Sequence, residues 1–100
     1  MGLRRREPWD GDRSRIERVP LRDSPEQAPA KQRAATPATR PETPLPVRVW
    51  VTQRQTGEFE ANGVAVAWTT RQVEVRYIDP HGREGFAWVW ASAVTRRDAD

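Results

Sequence analysis

VRVWVT, residues 47–52, places Val47, Val49 and Val51 on one side of an extended chain and Arg48, Trp50 and Thr52 on the other. Strict alternation of apolar and polar residues is the pattern of a half-buried β-strand, because successive side chains point to opposite faces. The valine side is the expected core side, and the rest of the fold is read outward from that assignment.

Downstream, QRQTGE reads as a loop, followed by EFEANGVAVAW. Asn62-Gly63 in that segment matches a type I′ hairpin turn, and a Gly bulge inside one longer, bent strand is the second reading. RQVEVRYID alternates again, with Val73, Val75 and Tyr77 opposed to Glu74 and Arg76. Asp79-Pro80-His81-Gly82 has proline second and glycine fourth, the preferences of a type I turn. GFAWVW reads as a last strand, and ASAV as one 3-10 turn before TRRDAD. Four or five short strands joined mostly by tight turns, with no helix of ordinary length, make an all-β unit. A sheet this small is expected to bend into a barrel, because an open one leaves its edges bare.

Upstream of residue 46 the texture differs. Seven of the nine prolines lie there and Pro46 ends it, with apolar residues scattered among Arg, Ala, Thr and acids. Such a segment buries little apolar surface to offset the entropy of ordering it, so residues 1–45 are expected to be a disordered arm and linker. A barrel over 46–97 and a tail over 98–100 complete the division. The net charge of +3 also belongs to the arm, since residues 47–100 balance seven basic against seven acidic side chains. With sixteen Arg and one Lys, the composition is also that of a GC-rich bacterial genome, and it weakens any reading of Arg number as nucleic-acid affinity.

The run VRVWVTQRQTGEFEANGVAVAW, then VEVRYIDPHGREG, then WVWASAV resembles the SH3-like barrels, particularly their Tudor-like branch, over roughly residues 47–97. The resemblance implies a strand, a loop, central strands with a Y-x-D-x-x-G style turn, a short strand and a 3-10 turn. It places Tyr77 and Asp79 where that branch holds residues of an aromatic cage. The second aromatic expected in the turn is replaced by Pro80 and His81, a departure that argues against methyl-mark reading.

The resemblance also sets the facing of the last strand, with Ala87, Val89 and Ala91 inward, Val94 plugging the end, and Phe86, Trp88 and Trp90 outward. A small barrel lacks room for four Trp, two Phe and a Tyr beside the valines. The expected working surface is therefore an outward aromatic face of Trp50, Trp88, Trp90 and Phe86, flanked by Arg48, Arg76 and Tyr77, contacting a protein or peptide partner. Trp50 joins this face only if its strand neighbours the last one. Two alternatives stand beside it: the opposite facing, with Trp88 and Trp90 inside, and a second small core in which Trp9, Leu21 or Leu45 covers the indoles.

Catalysis lacks an inventory. His81 is the single histidine, there is no Cys, no nucleophile stands beside a base, and the carboxylates are dispersed. No catalytic residue, metal ligand or cofactor is assigned, and a cytoplasmic location without membrane contact is the expectation from the missing Cys and the lack of a long apolar run. The competing function is nucleic-acid binding, with Arg4, Arg5, Arg6, Arg13, Arg15 and Arg18 meeting phosphates and Trp faces stacking on bases. The oligomeric state is not legible from the sequence.

Overall fold

The computed structural model describes residues 16–97. Among them five strands form one antiparallel sheet: β1 (Leu45–Gln53), β2 (Gly57–Trp68), β3 (Gln72–Ile78), β4 (Glu84–Trp90) and β5 (Val94–Arg96). The sheet order is β4-β3-β2-β1-β5. Helical structure among these residues is limited to single 3-10 turns at Leu21–Asp23, Ala30–Gln32 and Ala91–Ala93.

The core lies on the side the alternation indicates. Val47, Val49 and Val51 are buried on β1, with Val75 and Tyr77 on β3 and Ala87 and Val89 on β4. Phe59, Trp68, Val73 and Val94 pack against this cluster from its rim. Ala91, expected inward, is exposed, because the chain has already left β4 for the 3-10 turn.

β2 runs unbroken through Asn62-Gly63, so the hairpin reading is corrected. It pairs with β1 from Gly57 to Ala65 and with β3 from Gly63 to Trp68, with a register shift between Ala65 and Ala67. The longer bent strand is the observed solution, although the irregularity falls after Gly63. Gly63 does not need a positive φ; it needs the absence of a side chain. A Cβ there would lie 2.6 Å from the Arg76 carbonyl oxygen. Among the described residues positive φ occurs only at Gly57 and Gly82, which end the β1–β2 and β3–β4 connections. Asn62 is exposed on the outer face and accepts a hydrogen bond from Arg48. Asn62→Ala should therefore change the unfolding free energy by less than about 0.5 kcal/mol, as for an ordinary surface position. A urea titration checks this; a larger loss would restore a turn role for Asn62.

The expected closed barrel is also corrected, because β4 and β5 do not pair. β5 has three residues and covers β1 only at Val47–Val49, leaving the later half of β1 open on that side. Residues 17–28 occupy the gap between that stretch and β4. The Val19 N–H donates to Glu84 O and the Glu84 N–H to Glu17 O. The Glu26 N–H donates to Thr52 O, the Arg54 N–H to Ser24 O, and the Ala28 N–H to Trp88 O. The free edge of β4 is thus paired by the chain's own N-terminal segment, a common way of covering a sheet edge.

From Ile16 onward the proline-rich segment is laid on the sheet, in contrast to the mobile linker expected of 16–45. Its ordering rests on backbone hydrogen bonds and polar anchors rather than on apolar burial: no residue before Leu45 belongs to the core cluster. The expectation for residues 1–15 lies outside the described residues. No helix among the described residues is long and apolar enough to cross a membrane.

Candidate functional site

The sheet order separates the expected aromatic face into two regions. Trp50 is on β1 and Trp88 and Trp90 are on β4, with β2 and β3 between them. Along the sheet the two regions are therefore not adjacent, and on the other side residues 17–28 stand between β1 and β4. The condition for a single patch, neighbouring strands, is not met.

Around Trp50 the outward surface of β1 and β2 is a ladder of facing pairs, Arg48 with Asn62, Trp50 with Glu60 and Thr52 with Glu58. Arg48 reaches diagonally, donating at 2.8 Å to Asn62 Oδ1 and at 2.8 Å to Glu60 Oε1. An exposed pair of this kind adds little stability. It does hold the guanidinium and carboxylate in fixed positions beside the indole. Trp50 itself is 49% exposed, in the middle of β1 just past the last residue that β5 pairs.

On β4 the aromatics meet the N-terminal segment. The Arg33 guanidinium lies over the Trp88 ring, 4.4 Å from its centroid, and donates to Gln72 Oε1 and Ala28 O. The Trp88 N–H donates to Gln27 Oε1, and Gln27 Nε2 reaches Phe86 O. Trp88 is half-buried under this cover, which is the Arg33 guanidinium and the Gln27 amide and not a second apolar core; Trp9, one of the residues expected to close such a core, lies outside the described residues. Leu21 is 87% exposed. Phe86 is half-buried opposite Arg76, whose Nε is 3.9 Å from a carboxylate oxygen of Glu84. Trp90, 39% exposed, follows at the end of β4. It faces Gln72 across the β3–β4 pair. Nearby, Gln32, Thr36, Thr69, Thr70 and Arg71 line an open, polar cleft of about 360 Å³.

Tyr77, grouped with the contact residues by the resemblance, is fully enclosed and unavailable to a partner. Tyr77 pairs with glycines on both neighbouring strands, Gly63 on β2 and Gly85 on β4, and its ring lies over Gly85. Its hydroxyl donates to Gln53 Oε1 at 2.7 Å, and the Gln53 amide donates onward to Asp23 and Asp79. Arg83 completes the cluster, donating to both carboxylates. Asp79 also accepts the N–H groups of His81 and Arg83, while Gly82 donates to the Asp79 carbonyl and closes the Asp-Pro-His-Gly turn. His81 thus serves the turn through its backbone.

The electrostatics follow from these contacts. Burial would raise the Asp23 carboxyl, but hydrogen bonds from Thr56, Gln55 and Arg83 outweigh it and hold the group well below the usual carboxylate range. Burial opposes ionisation of Asp79 too, and is overcome by the Arg83 backbone and side chain, Gln53 and His81. Burial pushes the Tyr77 phenol far above its ordinary value, with Asp79 and Asp23 adding to the effect. All three groups are fixed in one protonation state at neutral pH, which suits a structural cluster.

Of the basic residues set against nucleic acid, Arg18 bridges Glu84 in the strand-like run of the N-terminal segment, and Arg4, Arg5, Arg6, Arg13 and Arg15 lie outside the described residues. No group of three or more His, Cys, Asp or Glu among the described residues could hold a metal ion. Sequence reasoning missed Asp23, Gln27 and Gln53, whose polar side chains carry no periodic signal. In comparisons with known proteins, the chain matches no family model, no curated protein and no solved structure.

Proposed function

We propose that the protein is a non-catalytic binding module of the small SH3-like type, contacting a protein or peptide partner through the outward surface of β1 and β2 centred on Trp50. The observation that carries this reading is the half-exposed indole in the middle of β1, framed by Arg48, Glu58 and Glu60. Large exposed aromatics beside arginine are the usual composition of contact hot spots. A rigid strand supplies such a side chain without an ordering cost on binding. Support for the SH3-like assignment comes from the strand order, the long bent β2 shared between β1 and β3, and the 3-10 turn before β5.

Trp50→Ala should abolish capture of a specific partner from an extract of the source cells, while Trp90→Ala retains it. Because half of the indole is already in water, the melting temperature should fall by no more than about 5 °C. Undiminished capture by folded Trp50→Ala protein would reject the surface.

A further inference from the structure

We propose that the trough between β4 and the later half of β1 is a receptor site for an extended peptide that carries an aspartate, and that residues 17–28 are its tethered occupant, exchangeable for a like segment on another chain. The site is independent of the Trp50 surface.

Its centre is a carboxylate socket. Five donors converge on Asp23: the Gln55 N–H at 2.6 Å and the Thr56 N–H at 2.8 Å on Oδ1, with the Thr56 hydroxyl, Gln53 Nε2 and the Arg83 guanidinium on Oδ2. Convergent backbone N–H groups backed by a guanidinium are a general solution for binding an anion. Every donor comes from the end of β1, the β1–β2 connection or the β3–β4 turn, and none comes from the segment that is bound.

The socket has its own support when Asp23 leaves. Arg83 keeps Asp79, to which it donates from both Nε and a terminal nitrogen. Gln53 keeps Tyr77 and Asp79. The Asp79 carboxylate also retains the His81 and Arg83 backbone donors.

Beyond the socket, recognition is by main chain and by one carboxamide. Thr52 O, Arg54 N, Glu84 and Trp88 pair with the backbone of the segment, the pattern of strand addition to a sheet edge. Four residues after Asp23, the Gln27 amide clamps Trp88 N and Phe86 O, and Ala28 is buried behind it. The preferred occupant is therefore extended, with Asp, then three residues, then Gln-Ala. The segment adds nothing to the apolar core cluster, and its 3-10 turn leaves Leu21 in water. Separation from the sheet therefore costs mainly polar contacts, together with the buried Ala28 and the half-buried Val19, Pro20 and Pro25.

Amide hydrogen exchange on the full-length protein is the first test. The Val19, Glu26 and Ala28 amides should exchange at least tenfold faster than those of Val49 and Val75, because the segment opens without unfolding the sheet. Equal rates would overturn the proposal. The second test uses a fluorescent peptide of residues 16–33. In the wild type a tethered competitor at millimolar effective concentration should exclude it. Full-length Asp23→Ala should bind it at least tenfold more tightly than wild type, and a peptide with alanine in place of that aspartate should lose the gain. Equal binding of the two peptides would overturn the socket. Should Asp23→Ala fail to fold, the exchange rates decide alone. Trp50→Ala leaves both results unchanged, so the two binding surfaces stand or fall separately.

Discussion

Gly85→Ala is expected to destabilise the protein by about 3 kcal/mol, near the upper end for overpacking a core. The added Cβ would lie 2.5 Å from both Cζ and the hydroxyl of Tyr77, and 2.9 Å from Cε1. The ring has nowhere to move. Its hydroxyl is tied to Gln53, and Phe59 meets it with ring centroids 6.0 Å apart. Relief requires the β3–β4 pair to separate or the Gln53 hydrogen bond to break, and either opens the buried cluster. For a domain of about this size, 3 kcal/mol corresponds to a fall in melting temperature of roughly 12–24 °C. Gly57→Ala is the control. A Cβ there meets nothing within 4 Å, but φ is +86°, so the cost is backbone strain of about 1 kcal/mol. Urea titrations of the two variants separate the mechanisms. Equal losses would mean that conformation rather than the space around Tyr77 explains Gly85.

The second large effect is expected at Arg83. Arg83→Met leaves Asp23 and Asp79 buried close together, sharing the Gln53 amide and no cation. Breaking a buried ionic cluster by removing one sign is costly, and a fall in melting temperature on the order of 10 °C or more is expected at neutral pH. The pH profile gives the sharper result. In the wild type both carboxyls have folded-state pKa values below their unfolded ones. Their contribution is complete above the unfolded carboxylate range, near pH ~4, and is lost as pH falls through the folded values. Without the guanidinium, one of the pair takes up a proton more readily in the folded state. The loss of stability between about pH 5 and 2 should then shrink, so the profiles of wild type and variant converge in acid. Thermal melts across that range check the outcome. Parallel profiles would place the stabilising role of Arg83 in packing of its stem.

Much of the sheet was legible in the sequence because alternation is a local signal tied directly to burial. Val47, Val49 and Val51 declare their side of β1 without reference to anything distant. Ala87 and Val89 do so on β4 once the small side is taken as the inner one. Asn62-Gly63 misled because the pair satisfies a local turn preference, while the reason for the glycine lies on another strand, at the Arg76 carbonyl and Tyr77. Gly85 is the same case with the Tyr77 ring.

The candidate site was less legible. Trp50 could be placed outward from its own strand, but its separation from Trp88 and Trp90 depends on strand order, which six residues do not encode. The docking of 16–45 had no hydrophobic pattern to announce it, since Asp23 and Gln27 act through hydrogen bonds to groups far along the chain.

The distance between those partners bears on the order of events during synthesis. Asp23 and Arg83 are 60 residues apart, and Gln27 and Trp88 are 61. At ordinary translation rates of about 5–20 residues per second, the N-terminal segment waits roughly 3–12 s for the strand it will cover. Over that interval a greasier segment would be a hazard, free to collapse on the nascent valine strands or on neighbouring chains. Proline, arginine and the acidic residues keep it hydrated and extended until β4 arrives. The polar composition that hides its final place is then what allows it to remain unattached until β4 is made.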